Sequence, residues 1–393
     1  MRRSWIGLGA GLLIVAAVAQ PAAAEAVKVG LIMSVSGPWG TWGRQAMAAV
    51  RVYQELHGKS VNGNPINIIL RDDGGPNPAR ARQLAEELIL RDKVRFLAGF
   101  VFSPNVRAVA DLATRSKTPT IITNASTSSN TRQSPYFVRV SFTIHQEEGT
   151  LGRWAAQNGY KTADSIFPDY VSGIDADAAF STAYLAAGGK IISHIRVSID
   201  VIDVSPYYRR VQDDGPRAMF GFSTGGANSL LMIRSWSERL KPAGIAYFGP
   251  GATEGDLQTI GDGAIGVISA THYPEHADNP LNKALWSTWR KDFADQPNFL
   301  PDFSAVAMYD ALELVYRAVA KFGPEVTGDQ ALGFFKGLTV ASPRGSFTID
   351  PKERDVIQNI YIQRVEKRGG RLINAPLAVI RDVKDPWKEA HPE

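Results

Sequence analysis

The chain has 393 residues, of which 44% are hydrophobic and 21% are charged, as in an ordinary globular protein. Its 43 basic residues against 39 acidic ones give a net charge of +4, and no basic block is interleaved with aromatic residues, so we expect no nucleic-acid partner. The absence of cysteine excludes disulfides and leaves stability to a buried core.

The first residues have the pattern of a secretory signal peptide. Arg2 and Arg3 precede an uncharged apolar stretch at residues 6–19, and small side chains at residues 22–24 suit signal peptidase. We expect cleavage after Ala24, with Glu25 beginning the mature chain; the alternative is an uncleaved anchor helix. Because no cysteine can carry a lipid, the mature chain is expected to be a freely diffusing monomer of a Gram-negative periplasm.

From residue 27 onward, apolar strands alternate with amphipathic helices. A first series has expected strands at residues 27–33, 66–70, 94–100 and 120–123, and expected helices ending at residue 56 or spanning 78–91 and 104–116. A second series has expected strands at residues 165–167, 190–197, 218–222, 245–248 and 266–271, and expected helices at 146–158, 174–187, 206–211 and 227–240. Expected helices at residues 280–294, 303–322 and 329–337 and β-rich runs at 345–349 and 357–365 complete the chain.

This alternation predicts an α/β fold with two Rossmann-like lobes, each built on a parallel sheet that helices cover on both faces. The mature length also fits two domains. We place lobe 1 at residues 25–143 plus 274–345 and lobe 2 at residues 144–273 plus 346–393. Three chain crossings between the lobes would form a stiff hinge that can close on a small molecule.

Distinctive residues follow several expected strands, at the sheet edge where α/β proteins bind ligands. Trp39 and Trp42 lie in a Gly-rich loop expected at residues 34–43, Ser103 follows the third strand, and residues 124–128 follow the fourth. Hydroxyl groups and free amides at helix entrances could hold a carboxylate without an arginine. The alternatives are that Ser103 is only a helix N-cap, that Trp39 packs on its own helix, and that residues 124–129 are a solvated loop.

A possible catalytic motif surrounds Ser223. Residues 221–225 match G-x-S-x-G, and Asp256 or Asp262 followed by His272 would keep the order of a hydrolase triad. No oxyanion segment accompanies the motif, so a serine hydrolase is kept only as the alternative to a non-enzymatic protein. No His/carboxylate cluster has metal-ligand spacing and no phosphate loop is present, so we expect neither metal nor cofactor.

Several segments carry a resemblance to a known family. They are residues 29–38, Asp72-Asp73 with Asn77-Pro78, residues 124–127, Pro168-Asp169-Tyr170 with Gly173, residues 203–206, and residues 342–345 with Asp350-Pro351. On these segments the mature chain resembles the leucine/isoleucine/valine-binding proteins, periplasmic receptors of ABC transporters with the type I periplasmic-binding fold. The late segment resembles members whose ligands are aromatic acids.

The resemblance implies a ligand site between the lobes and an inner-membrane ABC permease as partner. It assigns the ligand carboxylate to Ser103, to the Ala125 backbone and to Thr127, and it puts Trp42 where the family usually has tyrosine. Tyr170 and Ser172 would close the site from the second lobe. With the other strand-end loops included, the expected ligand-binding residues are Trp42, Phe102, Ser103, Ala125, Ser126, Thr127, Tyr170, Ser172, Ser223 and Gly251.

One departure from the family bears on the ligand. Amino-acid binders place a carboxylate in the loop that corresponds to residues 249–253, where it pairs with the ligand ammonium, and this loop has no acid. An unpaired buried ammonium is costly, so we expect a carboxylate without an α-amino group, an aromatic acid given the nearby rings. A branched-chain or other hydrophobic amino acid remains the alternative, with Glu254 or Asp169 as its ammonium partner. A ligand-sensing subunit of a membrane receptor would use the same fold.

Overall fold

The computed structural model describes residues 26–392, apart from residues 224, 226, 251 and 252. The predicted signal peptide and the candidate residue Gly251 lie outside the described residues. The chain folds into two lobes, each built on a mainly parallel sheet, as the alternating pattern predicts.

The first sheet is formed by residues before position 140. Its strands are β1 (Val27–Met33), β2 (Ser60–Val61), β3 (Asn64–Asp72), β4 (Phe96–Gly99), β5 (Thr120–Ile122) and β6 (Phe137–Arg139). They are ordered β2-β3-β1-β4-β5-β6, and β1 pairs in parallel with both β3 and β4. This central position explains why β1 is an almost unbroken apolar run, since helices cover both of its faces.

The second sheet is mixed. Its strands are β7 (Thr162–Pro168), β8 (Lys190–Val197), β9 (Ala218–Gly221), β10 (Ala246–Phe248), β11 (Ile268–Thr271), β12 (Thr339–Val340), β13 (Phe347–Ile349), β14 (Val356–Arg368) and β15 (Arg371–Val383). The sheet runs β12-β13-β14-β11-β10-β9-β7-β8, with β15 paired to β14. The pairs from β8 to β11 are parallel, whereas β11–β14 and β14–β15 are antiparallel.

Helices flank both sheets. Those of the first lobe are α1 (Gly40–His57), α2 (Pro78–Glu86), α3 (Ser103–Ala108), α4 (Ala110–Ser116), α10 (Pro280–Asp292), α11 (Phe303–Phe322) and α12 (Gly328–Phe335). Those of the second lobe are α5 (Ile144–Gln157), α6 (Val171–Ala186), α7 (Ser205–Asp214), α8 (Ala227–Arg239), α9 (Glu254–Ile260) and α13 (Pro386–Ala390). Within the part of the chain that the structure describes, no helix is long and apolar enough to cross a membrane.

Two local expectations were wrong. The segment 34–43 was expected to be a loop, but a short 3₁₀ helix at Gly37–Trp39 leads directly into α1, so Trp42 lies in the first turn of a helix. The expected helix at residues 104–116 is divided into α3 and α4. The entrance to α1 is tight because the Gly43 amide donates to Ser34 O at 2.9 Å, and a Cβ at Gly43 would lie 2.1 Å from the Val35 side chain.

The lobe boundaries remain predictions, because the last crossing shares features of both lobes. Strands β12 and β13 are hydrogen-bonded to the second sheet, while Phe347 and Ile349 pack in the hydrophobic core around β1 and α11. Buried ionic contacts tie the crossings together. Arg344 pairs with Asp310 at 3.3 Å and donates to the Ser141 carbonyl at 3.2 Å. Burial raises the pKa of Asp310 to about 7, although the Arg344 guanidinium opposes this shift.

Candidate functional site

A cleft of about 930 Å³, including its open mouth, lies where the carboxyl ends of strands from the two sheets face each other. This is the edge at which open parallel sheets bind ligands. The first lobe contributes Pro38, Thr41, Trp42, Val101, Phe102, Asn124, Ser126, Asp302 and Phe303. The other lining residues are Phe142, Glu148, Tyr170, Ser172, Phe222, Ser223, Gly225, Ser229, Pro250, Thr253 and Asp256.

A network behind the first lobe's wall holds the entrance to α1 in place. Ser34 donates to Asp73 at 2.6 Å, and Ser36 donates to Asp72 at 2.6 Å. Asn105 of α3 donates to the other oxygen of Asp73 at 2.8 Å. The two adjacent carboxylates at the end of β3 therefore fix the positions of the segment carrying Trp42 and of helix α3.

Six of the ten expected ligand-binding residues line the cleft. They are Trp42, Phe102, Ser126, Tyr170, Ser172 and Ser223. Ser103, Ala125 and Thr127 are buried in the wall just behind the lining, with exposed fractions of 1%, 1% and 4%. Thr127 reaches the cleft indirectly, because its Oγ1 lies 3.5 Å from Oγ of Ser172 on the opposite lobe.

The hydrogen bonds of Ser103 exclude the simple capping role. The N-cap of α3 is Phe102, and Ser103 is the first helical residue. Its hydroxyl oxygen accepts from the Thr127 amide at 3.3 Å and from Asn130 Nδ2 at 3.0 Å. Because both bonds use the oxygen as acceptor, the Ser103 hydrogen remains available to donate to a further group.

The backbone of Ala125 is already engaged. Its amide donates to Phe100 O at 2.9 Å, and its carbonyl accepts from Asn130 at 3.2 Å. In this arrangement Ala125 holds the shape of the loop after β5. The hydroxyls beside it are those of Ser103 and of Thr127, which contacts Ser172 at 3.5 Å.

Three aromatic rings that line the cleft form a connected series. The rings of Trp42 and Phe303 meet edge to face with centroids 5.4 Å apart, and Phe303 meets Phe142 in the same way at 5.9 Å. Phe142 in turn stacks on His272 at 5.0 Å. Such a wall presents flat apolar faces to a ligand.

Helix starts position two of these rings. Asp302 accepts from the Ser304 amide at 2.9 Å and from the Ala305 amide at 3.0 Å, so α11 begins at Phe303. Thr143 and Gln146 form a capping box that starts α5 directly after Phe142. The sequence-based site prediction omitted Phe142 and Phe303. The N-cap aspartate Asp302 directly before Phe303 was a recognisable sign that this ring lies at the start of a helix.

The lobes already touch across the cleft. Trp42 lies so close to Gly225 that a Cβ at Gly225 would be 2.6 Å from the indole. Together with the contact between Thr127 and Ser172, this places the two lobes in a closed arrangement. Burial raises the pKa of Tyr170 to about 12, so its phenol stays neutral within the cleft.

Three carboxyl groups that the site prediction omitted also line the cleft. Burial raises the pKa of Glu148 to about 8, that of Asp302 to about 6, and that of Asp256 in the same direction. Asp302 caps α11, and Asp256 accepts from the Thr253 hydroxyl at 2.8 Å, whereas Glu148 Oε2 is buried without a hydrogen-bond partner among the described residues. Among those residues, no lysine or arginine lines the cleft.

The expected alternative of a serine hydrolase fails on geometry. Ser223 is hydrogen-bonded to Ser229, with their hydroxyl oxygens 2.5 Å apart, and Asp256 is hydrogen-bonded to Thr253. His272 is instead held by Glu147, whose carboxylate lies 2.8 Å from its Nδ1. His272 Nε2 has no hydrogen-bond partner among the described residues, so Ser223 and His272 do not form the pair that nucleophile activation requires.

The described residues hold no group of three or more His, Asp or Glu side chains suited to a metal ion. Asp169, one suggested ammonium partner, pairs with Arg196 at 3.4 Å on the surface, where both side chains are more than half exposed. It does not line the cleft. The side chain of Glu254, the other suggestion, is not among those described, although α9 begins at this residue.

Comparison with known proteins shows similarity along almost the whole chain. A sequence profile described as "Periplasmic binding protein" matches residues 26–370. A Brucella melitensis protein named Leu/Ile/Val-binding protein homolog 6 is 33% identical over 383 residues, which are 96% of this chain and 98% of that protein.

Solved structures give the same result. An ABC transporter solute-binding protein from Rhodopseudomonas palustris BisB5, crystallised with 3,4-dihydroxybenzoic acid, is 39% identical with a TM-score of 0.87, covering 92% of this chain and 99% of that chain. One from strain HaA2, crystallised with p-hydroxybenzoic acid, is 35% identical with a TM-score of 0.88, covering 92% and 98%. A leucine-binding protein from Thermotoga maritima, 20% identical with a TM-score of 0.78 over 90% and 99%, shares the fold.

Proposed function

Since the chain belongs to the periplasmic binding protein family, as a non-enzymatic solute-binding protein of an ABC transporter with the type I fold, we propose that its cleft captures a small aromatic carboxylate and delivers it to the transporter's permease. The observation that carries the proposal is the combination of an aromatic wall with hydroxyl-bearing side chains in the cleft lining and just behind it. The relatives crystallised with hydroxybenzoates support the same ligand class.

The ring and the carboxylate of such a ligand would have separate partners. Trp42, Phe303 and Phe142 offer faces and edges on which a benzene ring can pack. The hydroxyls of Ser103 and Thr127, beside the first turn of α3, would donate to the carboxylate. Tyr170 and Ser172 would complete the enclosure from the second lobe.

The charge of the cleft disfavours an α-amino group. An ammonium needs an ionised carboxylate that is free to pair with it, and the loop at residues 249–253 supplies none. Asp256 and Asp302 each accept hydrogen bonds from protein donors through one oxygen, and burial raises the pKa of Glu148 to about 8 in the ligand-free protein, so an ammonium would first have to drive its ionisation. A des-amino acid brings no such requirement.

We also propose that the chain is exported and cleaved after Ala24, and that it works in the periplasm as a monomer. The two lobes would then rotate about the hinge to admit and release the ligand. We expect them at residues 25–143 plus 274–345 and at residues 144–273 plus 346–393.

Calorimetry on the mature protein tests the ligand class. We expect benzoate, 4-hydroxybenzoate and 3,4-dihydroxybenzoate to bind at least about tenfold tighter than leucine, isoleucine or valine, a difference of about 1.4 kcal/mol or more. Phenylalanine against 3-phenylpropionate is the sharpest pair, because both keep the ring and the carboxylate. Equal or tighter binding of phenylalanine or leucine would overturn the proposal in favour of an amino-acid receptor.

A further inference from the structure

Glu148 is a buried carboxyl group that the protein itself leaves partly unsatisfied. It lies in the second turn of α5, lines the cleft, and is only 2% exposed. Its Oε2 has no hydrogen-bond partner among the described residues. A buried polar atom without a hydrogen-bond partner lowers the stability of the folded protein. Such an atom at a binding surface indicates that a ligand group supplies the missing hydrogen bond.

The structural role at this position is taken by the preceding residue. Glu147 accepts from the His272 amide at 2.8 Å and contacts the same residue's Nδ1 at 2.8 Å, which ties α5 to the second crossing of the hinge. Glu148 contributes no such bond through Oε2. The two adjacent glutamates therefore face different surroundings, and only Glu148 faces the cleft.

The surroundings of Glu148 favour its neutral form. Phe142 and Phe222 line the same cleft, and burial raises the pKa of Glu148 to about 8. At neutral pH the group is then a carboxylic acid, with one hydroxyl donor and an acceptor oxygen. This pair of functions matches a ligand hydroxyl, which also donates one hydrogen bond and accepts another.

We propose that Glu148 hydrogen-bonds a hydroxyl group on the ligand's ring, and that the cleft thereby selects ring-hydroxylated aromatic acids over the unsubstituted parent acids. The inference rests on the proposed function, since it takes an aromatic carboxylate as the ligand. Beyond that function, it identifies Glu148 as the residue that recognises the hydroxyl group on the ring.

The affinity ratio between 4-hydroxybenzoate and benzoate, measured by calorimetry, tests the proposal. In the wild-type protein we expect a ratio of about tenfold or more in favour of the hydroxylated acid. Glu148→Leu should reduce the ratio to about twofold or less, because the apolar side chain can neither donate nor accept. Glu148→Gln should keep most of the preference, since its amide retains a donor and an acceptor in the same shape.

Asp164→Asn provides a matched control. Asp164 is also a buried carboxyl group of the second lobe with an unpartnered oxygen, and burial raises its pKa to about 7, but it does not line the cleft. Its substitution should leave the ligand ratio at the wild-type value. Without ligand, Glu148→Leu should melt no lower than wild type because it removes an unsatisfied buried polar group, and Glu148→Gln should melt close to wild type because a neutral acid is replaced by a neutral amide of the same shape.

Ionisation supplies an independent readout. Glu147 and Tyr247 interact electrostatically with Glu148, and Tyr170, Asp256 and Asp302 line the same cleft. His272 and Arg344 lie one step further away, since both interact with Glu147. As the pH rises from 7 to 9, Glu148 ionises beside an anionic ligand, so benzoate affinity should fall in the wild type by about tenfold. Glu148→Gln removes this titration, and its pH profile should be flatter.

The outcomes separate the two proposals. If both benzoates bind with equal affinity, or if Glu148→Leu keeps the wild-type ratio, the inference fails while aromatic-acid binding stands. If neither benzoate binds and phenylalanine or leucine does, the proposed function itself fails. A loss of phenylalanine binding in Glu148→Gln would then identify Glu148 as an ammonium partner.

Discussion

At the scale of single residues, the neighbouring hydroxyl groups of Ser103 and Thr127 differ in their hydrogen bonds. Ser103 accepts from both the Thr127 amide and Asn130, so it supports the loop after β5 as well as facing the proposed carboxylate. Among the described residues, the Thr127 hydroxyl has only the long 3.5 Å contact with Ser172. Thr127 is therefore the cleaner probe of ligand binding.

We expect Thr127→Ala to weaken binding of a benzoate by about 1–3 kcal/mol and to leave the ligand-free melting temperature almost unchanged. Ser103→Ala should weaken binding by a similar amount and also lower that temperature, because it leaves two buried donors without an acceptor. Calorimetry and thermal unfolding measure the two effects.

Ser165→Ala is the control, since Ser165 is fully buried in β7 and its hydroxyl has no hydrogen-bond partner among the described residues. It should alter neither affinity nor the ratio between ligands. Unchanged affinity in Thr127→Ala and Ser103→Ala would show that the carboxylate is bound elsewhere in the cleft.

At the scale of helices and strands, the sequence predicted those elements whose apolar pattern is clear within a single segment. The strand expected at residues 190–197 is β8 itself, and that at residues 27–33 is β1. In contrast, the prediction missed β15, which contains Pro376 and forms the outer strand of a long antiparallel hairpin with β14. An edge strand is half exposed and tolerates proline, so its apolar pattern is weak.

The start of α6 depends on a close approach that only glycine allows. A Cβ at Gly173 would lie 2.0 Å from the carbonyl oxygen of Pro168, at the end of β7. The helix can therefore begin directly after Tyr170 and bring Ser172 to the cleft. Sequence resemblance singled out Gly173, and the steric contact explains why the position requires glycine.

Gly173→Ala should destabilise the protein by about 1–3 kcal/mol and weaken ligand binding, because the first turn of α6 must move away from β7. Gly333→Ala is a matched control, since a Cβ there meets nothing within 4 Å and lies inside α12. We expect this control to raise stability by about 0.5–1 kcal/mol without affecting affinity. Chemical denaturation and calorimetry give both quantities, and an unperturbed Gly173→Ala protein would contradict the steric argument.

At the scale of the whole molecule, the site is harder to predict than the fold because three separate parts of the chain meet in it. Its lining residues lie within residues 38–126, 142–256 and 302–303. Loops at strand ends could be located in the sequence, which is how Trp42 was found, whereas Tyr170 came from the family resemblance. Glu148 and Phe303 belong to helices that reach the cleft only through the hinge crossings. A buried glutamate in an amphipathic helix looks like a surface residue until the lobes are assembled.

β1, the first element that the structure describes, begins at the third residue of the proposed mature chain. β1 starts at Val27 and is held between β3 and β4, and both sheets are built entirely from residues 27–383. A protein made without residues 1–24 should therefore reach the same melting temperature and benzoate affinity as the exported protein. Since the chain has no cysteine, neither value should change when a reducing agent is added.

Export itself is tested in a Gram-negative host. The small side chains at residues 22–24 suit signal peptidase, so periplasmic protein should begin at Glu25 when its N-terminus is sequenced. Ala24→Leu puts a bulky residue at the cleavage position and should leave the precursor uncleaved and bound to the membrane. Recovery of the wild-type chain in the membrane fraction with residues 1–24 still attached would show that the segment is an anchor. The receptor would then work tethered to the membrane instead of diffusing to its permease.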